Sequence, residues 1–491
     1  MTTTAISNRK AFSVVLFIEL WERFGYYGMQ SILVLFLIYE MNFATRSANT
    51  LIGAFSAMTY VAPALGGWVG DKLLGNRKAM VGGTIILATG YFLLSVATGN
   101  NLTIFLSMAI ISIGNGLFKP NAATLVRRIY DQDDSKLDAA FTIYYMAVNI
   151  GSTVSMLLCP YLKDHYGWKS AFLASFLGLV LGLVNYFITH RRLDPYLPEI
   201  EKQPLSTKLM AVTIFGVIVG IGICTIILKY PLLAQICVWI AAFTVIVLWG
   251  FTYYKSDSLH RPGLQLMYLL TVEGMLFFVF YQQMSTSLTL FAQRNINPAF
   301  YVGPYHLFSW SAGQFQALNP IWIMILSPIL AKIYTYMSQK NYNISIATKF
   351  VGGFICVAVA FLLWWVTCAY SQTTQLSSWL MVWGYFFLSL GELLISGLGL
   401  AVVARYVPAS MNGFMTGAYF MASGVSMYIG SKIANIAAPA NIEVLSSHQT
   451  LALYSKLFLN LSIMAVVALV ILIALTPFAK KWDKYHRRNI A

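Results

Sequence analysis

Charge is what this sequence most lacks. Only 10% of its 491 residues are Asp, Glu, Lys or Arg, against about a quarter in a soluble domain. With 58% hydrophobic residues, an ordinary water-exposed surface is excluded, and lipid must cover much of the chain. Cysteine is scarce too. Cys159, Cys224, Cys237, Cys356 and Cys368 lie in or at the ends of apolar runs, with no CxxC pair. That argues against a disulfide framework or a metal site and leaves small buried hydrophobes. His165, His190, His260, His306, His448 and His486 fall mostly in loops or near the ends of runs, and neither HExxH nor a nucleophile elbow is present. The expectation is therefore no enzyme, no metal and no organic cofactor. No polar stretch is long enough for a soluble domain.

Apolar runs of the roughly 20 residues that cross a bilayer recur along the chain. They predict about fourteen spans, six of them near 12–39, 50–71, 79–98, 102–126, 138–161 and 168–189. A polar linker from His190 to Lys208, with Pro195, Pro198 and Pro204, precedes two more runs near 209–228 and 233–254. After Lys255 to Gly263, six further runs lie near 265–292, 314–337, 347–370, 376–403, 410–435 and 452–478. This predicts an all-α membrane protein: a six-helix bundle over 1–190, a linker with two additional helices over 191–263, and a second six-helix bundle over 264–491. A cleavable signal peptide is the alternative for the first run, but that run continues through Glu19, Glu22 and Arg23 for a full span.

The net charge of +15 could attract nucleic acid, but its distribution points to lipid. Counted in alternate loops, one set holds Arg9, Lys10, Lys72, Arg77, Lys78, Arg127, Arg128, Arg191, Arg192, Arg261, Lys340, Arg405 and the C-terminal Lys480, Lys481, Lys484, Arg487 and Arg488. The other holds only Arg46, Lys163, Lys169, Lys229 and Arg294. Cytoplasmic loops carry the excess of Lys and Arg, so both termini are expected in the cytoplasm of a bacterial inner membrane, with no nucleic-acid partner.

Ionisable residues inside the runs carry the functional signal, because a charge at the bilayer centre costs a few kcal/mol on the most lenient scale. In the first run Glu19, Glu22, Arg23, Tyr26, Tyr27 and Gln30 share one helical stripe, and Glu19 and Arg23 can pair at i,i+4. Two carboxylates and one guanidinium leave an acid without a counter-charge, able to accept a proton. A self-neutralised structural cluster is the alternative. Lys119 lies one turn from Asn115, and snorkelling to the interface is its bland reading. Glu392 is a lone acid, while Glu273 reads equally well as interfacial. Tyr60, Tyr145, Asn149, Gln316 and Asn319 add neutral polar groups, each able simply to bond a neighbouring helix. Two six-run halves suggest alternating access around a central site. A zwitterion could bridge Arg23 and Lys119 of the first half and Glu392 of the second. An exporter of amphipathic cations, with Glu392 in an aromatic cavity, and a receptor or channel are the other classes.

Several motifs then resemble the proton-dependent oligopeptide transporter family, within the major facilitator superfamily. Glu19-Leu-Trp-Glu22-Arg23-Phe24-Gly-Tyr26-Tyr27-Gly28 is similar to its first-helix ExxERFxYYG motif. Gly114 to Asn121, Phe141 to Gly151, and Gly391-Glu392 with Gly399 resemble motifs of its fourth, fifth and tenth helices; Gly66 to Lys78 resembles the superfamily loop. The resemblance implies the major facilitator fold and proton-driven uptake of di- and tripeptides by a functional monomer. By it Glu19, Glu22 and Arg23 would couple protons with Lys119 close by. Tyr27, Tyr60, Lys119, Tyr145 and Asn149 would line the carboxylate side and backbone of the peptide, and Asn319 would help Glu392 hold its amino terminus. Two departures stand out. Gln30 is neutral near where many relatives carry a base, and Phe280-Tyr281-Gln282-Gln283 holds no acid where many carry one. The extracellular gate must then close by another contact.

Overall fold

A bilayer offers no partner to a bare N–H or C=O, so each span must satisfy its backbone internally, as helices do. The computed structural model describes residues 3–489 apart from 98, 132–133, 199–200, 202–205, 341, 343, 396–398, 409–410 and 441. Pro204 of the linker, and Ser396 and Gly397 after Glu392, lie outside the described residues. The chain is nearly all helical. In order come α1 (Thr3–Leu35), α2 (Thr45–Val69), α3 (Asn76–Ser95), α4 (Asn101–Ile129), α5 (Asp134–Tyr166), α6 (Trp168–Thr189), α7 (Thr207–Lys229) and α8 (Pro231–Lys255). They are followed by α9 (Arg261–Tyr281), α10 (Ser287–Asn295), α11 (Leu318–Gln339), α12 (Ile346–Tyr370), α13 (Trp379–Ile395), α14 (Gly399–Tyr406), α15 (Asn412–Ala434) and α16 (Ser447–Asn489). Among the described residues, eleven helical segments are long and apolar enough to cross a membrane, and α13 is a shorter apolar helix of 17 residues.

Local signals set several helix starts. The Asn100 side chain accepts from the amides of Leu102 and Thr103, and those of Ser206 and Ser345 accept from Leu209 and Thr348; each closes orphan donors at a first turn. The expected seventh run is broken. After Tyr281 the backbone tightens into a 3-10 turn, Gln282–Ser285, before α10 begins. In the tenth run the described residues are helical over Trp379–Ile395 and again from Gly399. An antiparallel hairpin, β1 (Ala299–Val302) with β2 (Tyr305–Ser309), was not expected from the sequence. Gly303, with φ of 57°, turns the chain between its strands.

The chain forms two compact units. Residues 1–42 and 58–234 make the first; residues 43–57 and 235–491 make the second. The start of α2 therefore belongs to the second unit, and the two inserted helices fall one to each: α7 packs on α4, while α8 joins the second unit from Gln235 onward. In the first unit α1 lies against α5 and α6, and α3 against α4 and α6. In the second, α12 lies against α13 and α16, and α9 against α15 and α16. The polar linker is pinned to the first unit by Arg77–Asp194 at 2.7 Å and by Arg128 on the buried Glu201.

Small residues decide how near the helices come, as expected where lipid supplies no hydrophobic drive between them. A methyl on Gly66 would lie 1.9 Å from the Gly116 carbonyl oxygen, so α2 and α4 touch backbone to backbone. On α3, a methyl on Gly83 would lie 2.7 Å from the Phe118 nitrogen, whereas Gly82 beside it meets nothing within 4 Å. Gly83→Ala is therefore expected to destabilise the detergent-solubilised protein by about 1–3 kcal/mol through overpacking, while Gly82→Ala leaves its melting temperature unchanged. Equal melting temperatures for the two variants would refute this packing of α3 on α4.

Candidate functional site

In the first unit the site is built on α1. Glycines of its neighbours seat this helix: a methyl on Gly151 of α5 would meet the Leu20 carbonyl at 2.6 Å, and one on Gly178 of α6 would meet the Phe24 ring at 2.9 Å. That close seating turns the charged stripe inward. Glu19, Glu22 and Arg23 are 2%, 0% and 3% exposed, too little for water to solvate any of them. Arg23 Nε lies 3.2 Å from Glu19 Oε1 and 2.5 Å from Glu22 Oε2, so one guanidinium serves both carboxylates. Two neutral donors complete the cluster. Asn115 Nδ2 of α4 donates to Glu22 Oε1 at 3.2 Å, and the Tyr144 hydroxyl of α5 donates to Glu19 Oε2 at 2.5 Å. Both donors had appeared in the sequence only as motif neighbours of Lys119 and Tyr145. Their helical phase toward α1 is a tertiary fact, which no spacing along one helix reveals.

Direct contact thus matches at most one of the two acids with a positive charge. A second cation, Lys119, sits on α4 one turn beyond Asn115. Among the described residues it makes no ion pair with a carboxylate, and it keeps accessible surface. Its Nζ stands 5.7 Å from the centre of the Tyr60 ring, a cation–π contact. Tyr145 is 42% exposed, and Tyr27 and Tyr60 also keep accessible surface. Asn149 is buried and spends its amide on the Tyr145 carbonyl of its own helix, at 2.7 Å. The Gln30 side-chain oxygen and the Arg23 Nη2 find no hydrogen-bond partner among the described residues.

In the second unit Glu392 lies on α13. Asn319, in the first turn of α11, donates to Glu392 Oε2 at 2.7 Å and to Ser389 Oγ at 3.1 Å. No cation pairs with Glu392 among the described residues. Close approach of α12 and α13 fixes its position: a methyl on Gly391 would lie 3.0 Å from the Gly353 carbonyl. Gln316 turns elsewhere and donates to Thr289 Oγ1 at 2.8 Å. Glu273 on α9 is buried, and its Oε2 finds no hydrogen-bond partner among the described residues. The neutral pair after α9 is fully engaged inside this unit. Gln282 donates to Ser56 and Ser431 at 3.3 and 3.0 Å, and Gln283 to the Gly430 carbonyl at 2.9 Å. Among the described residues no three His, Cys, Asp or Glu side chains are grouped so as to hold a metal ion.

A model of the POT family matches residues 77–451. The chain belongs to the POT family. POT relatives align with it end to end. Dipeptide and tripeptide permease A of Cronobacter turicensis is 36% identical over 484 residues, covering 98% of this chain and 95% of the relative. The permease of the same name from Escherichia coli K12 is 36% identical, covering 97% and 94%. Solved structures agree in fold. A bacterial homologue of the human drug peptide transporters PepT1 and PepT2 superposes with a TM-score of 0.87 at 44% identity, over 97% of this chain and 99% of that one. Tetrameric PepTSo2 superposes with a TM-score of 0.88 at 42% identity, over 97% and 100%. This POT protein is thus a multi-span membrane permease with the major facilitator architecture, and not an enzyme.

Sharing of one guanidinium by two buried acids makes Arg23 critical to the POT cluster. Arg23→Met should destabilise the protein by about 3–5 kcal/mol, the cost of leaving buried charge uncompensated. The double variant Arg23→Met with Glu22→Gln should recover part of that loss, read as melting temperature in detergent. No recovery in the double variant would mean that the arginine acts through packing alone.

Proposed function

We propose that this permease is a proton-coupled symporter that imports di- and tripeptides by alternating access. The observation that carries the reading is the asymmetry of buried charge. Among the described residues the first unit gathers two acids around one shared arginine, with Lys119 outside any carboxylate pair, while the second unit offers Glu392 on the neutral Asn319 amide. A peptide zwitterion complements both sets: its carboxylate toward Lys119 and the Arg23 side, its ammonium toward Glu392. Tyr27, Tyr60, Tyr145 and Asn149 would face its backbone, and Asn319 would orient the Glu392 carboxylate. The proton serves as the coupling ion and needs no cofactor. It neutralises whichever acid of the Glu19–Glu22 pair Arg23 does not match, and its departure restores competition for the guanidinium. The names of the curated relatives, dipeptide and tripeptide permeases, support the substrate class.

The excess of Lys and Arg in one set of loops supports a bacterial inner membrane with both termini cytoplasmic. Residues 1–190 and 264–491 would be the two moving bundles, with 191–263 as the inserted connection. Each chain carries both charge sets, so one chain is the transporting unit; tetramers such as those of PepTSo2 would then be assemblies of complete transporters.

Uptake of a labelled dipeptide into proteoliposomes tests the reading. Uptake should be concentrative only with an inwardly directed proton gradient, and accumulation that survives collapse of the gradient would reject symport. Glu22→Gln should abolish concentrative uptake while preserving peptide exchange; normal accumulation would dismiss Glu22 as the coupling group. Glu392→Gln should weaken free-amino dipeptides about tenfold, the effect of losing roughly 1.4 kcal/mol, and leave N-acetylated ones unchanged. Equal affinity for both classes would remove the role assigned to Glu392.

A further inference from the structure

The inserted helix α8 is clasped to the second unit at its C-terminal end. Over its last two turns the Trp249 ring stacks on Tyr268 of α9 at 5.0 Å, and the Tyr268 hydroxyl donates to the Trp249 carbonyl at 2.8 Å. Gln265 donates to Tyr253 and Arg261 Nε to the Ser256 carbonyl, at 3.3 and 3.2 Å. Beside this clasp a cavity of about 360 Å³ opens between α8, α9 and α15. Ala242 and Ile246 of α8, Met275 of α9, Val425 and Ile429 of α15 and Met464 of α16 form its walls. The hydroxyl among the lining residues, Ser426, is already spent on the Ala422 carbonyl at 2.9 Å. Water needs two to four polar partners in such a space, and its walls are almost wholly apolar. The rim opens outward through Ile246 and Val272, 64% and 42% exposed on helices that cross the bilayer.

We propose that this groove is a binding site for one acyl chain of an anionic phospholipid. Lining residues Ala242 to Trp249 lie six to thirteen positions before Lys255, or roughly 9–20 Å along the helix axis. The hydrocarbon of one leaflet is about 15 Å deep, half of the core, so a lipid tail entering from the Lys255 end reaches into the nearer part of the groove. At that end stand Lys255 and Arg261, with Asp257 as the acid between them. Lys255 is exposed, and the excess of positive charge suits a phosphodiester. The lipid would wedge α8 at its observed distance from the bundle, which gives the inserted helix a structural role.

The test is native mass spectrometry of the full-length protein in detergent, supplemented with phosphatidylglycerol or phosphatidylcholine. One phosphatidylglycerol should be retained, at least threefold more occupied than phosphatidylcholine. Ala242→Trp, which fills the groove from an apolar and lipid-bathed helix, should reduce that occupancy about tenfold. The double variant Lys255→Gln with Arg261→Gln should abolish the preference between the two lipids. Unchanged retention in a folded Ala242→Trp protein, or no headgroup preference in the unaltered one, overturns the proposal. Should Ala242→Trp fail to fold, a phosphatidylglycerol with a diazirine on its acyl chain decides. Cross-links at Met275, Ile429 or Met464 support the site, and cross-links confined to other helices overturn it.

Discussion

One guanidinium between two carboxylates, in a place that water does not reach, is the constraint around which the first unit is arranged. Moving charge out of water costs several kcal/mol per ion even after relaxation, and the surroundings of α1 offset that cost. Asn115 and Tyr144 come from two different helices to donate to the two acids. Gly151 and Gly178 let α1 sit close enough for those donors to reach. Tight helix packing and polar satisfaction thus meet at Gly151, which lies on the same helix as the Tyr144 donor. In the second unit Glu392 accepts from the Asn319 amide, and the Gly353–Gly391 contact has the same positioning role.

Much of the architecture was legible because the bilayer imposes a length on every apolar run. Runs expected near 168–189, 209–228 and 347–370 became helices at Trp168–Thr189, Thr207–Lys229 and Ile346–Tyr370. The misses fall where composition and backbone diverge. The seventh run reads as one span through Tyr281-Gln-Gln-Met, yet its helix breaks at Gln282, where the glutamine amides bond Gly430, Ser431 and Ser56. The hairpin at 299–309 carried a local signal, Gly303-Pro304 between aromatic residues, a turn dipeptide obscured by the apolar runs on either side.

The candidate site was legible to the extent that its chemistry is anomalous. Charged residues in lipid-length runs drew attention to Glu19, Glu22, Arg23, Lys119 and Glu392, and helical spacing placed the first three on one stripe. Their partners were harder to read. Asn115 and Tyr144 are ordinary residues of membrane helices until the tertiary packing aims them at a carboxylate, and so is Ser389 until it meets the Asn319 amide that also holds Glu392.

The break after α9 has a thermodynamic side. Near the stretch that lacks the acid, the second unit's own contacts are amides and hydroxyls: Gln282 with Ser56 and Ser431, and Asn49 with Asn435 at 3.0 Å. Neutral hydrogen bonds contribute about 1 kcal/mol each. They neither titrate near neutrality nor weaken with ionic strength as exposed ion pairs do. The start of α2 is therefore fastened by a latch that acidity and salt on either side of the membrane leave alone.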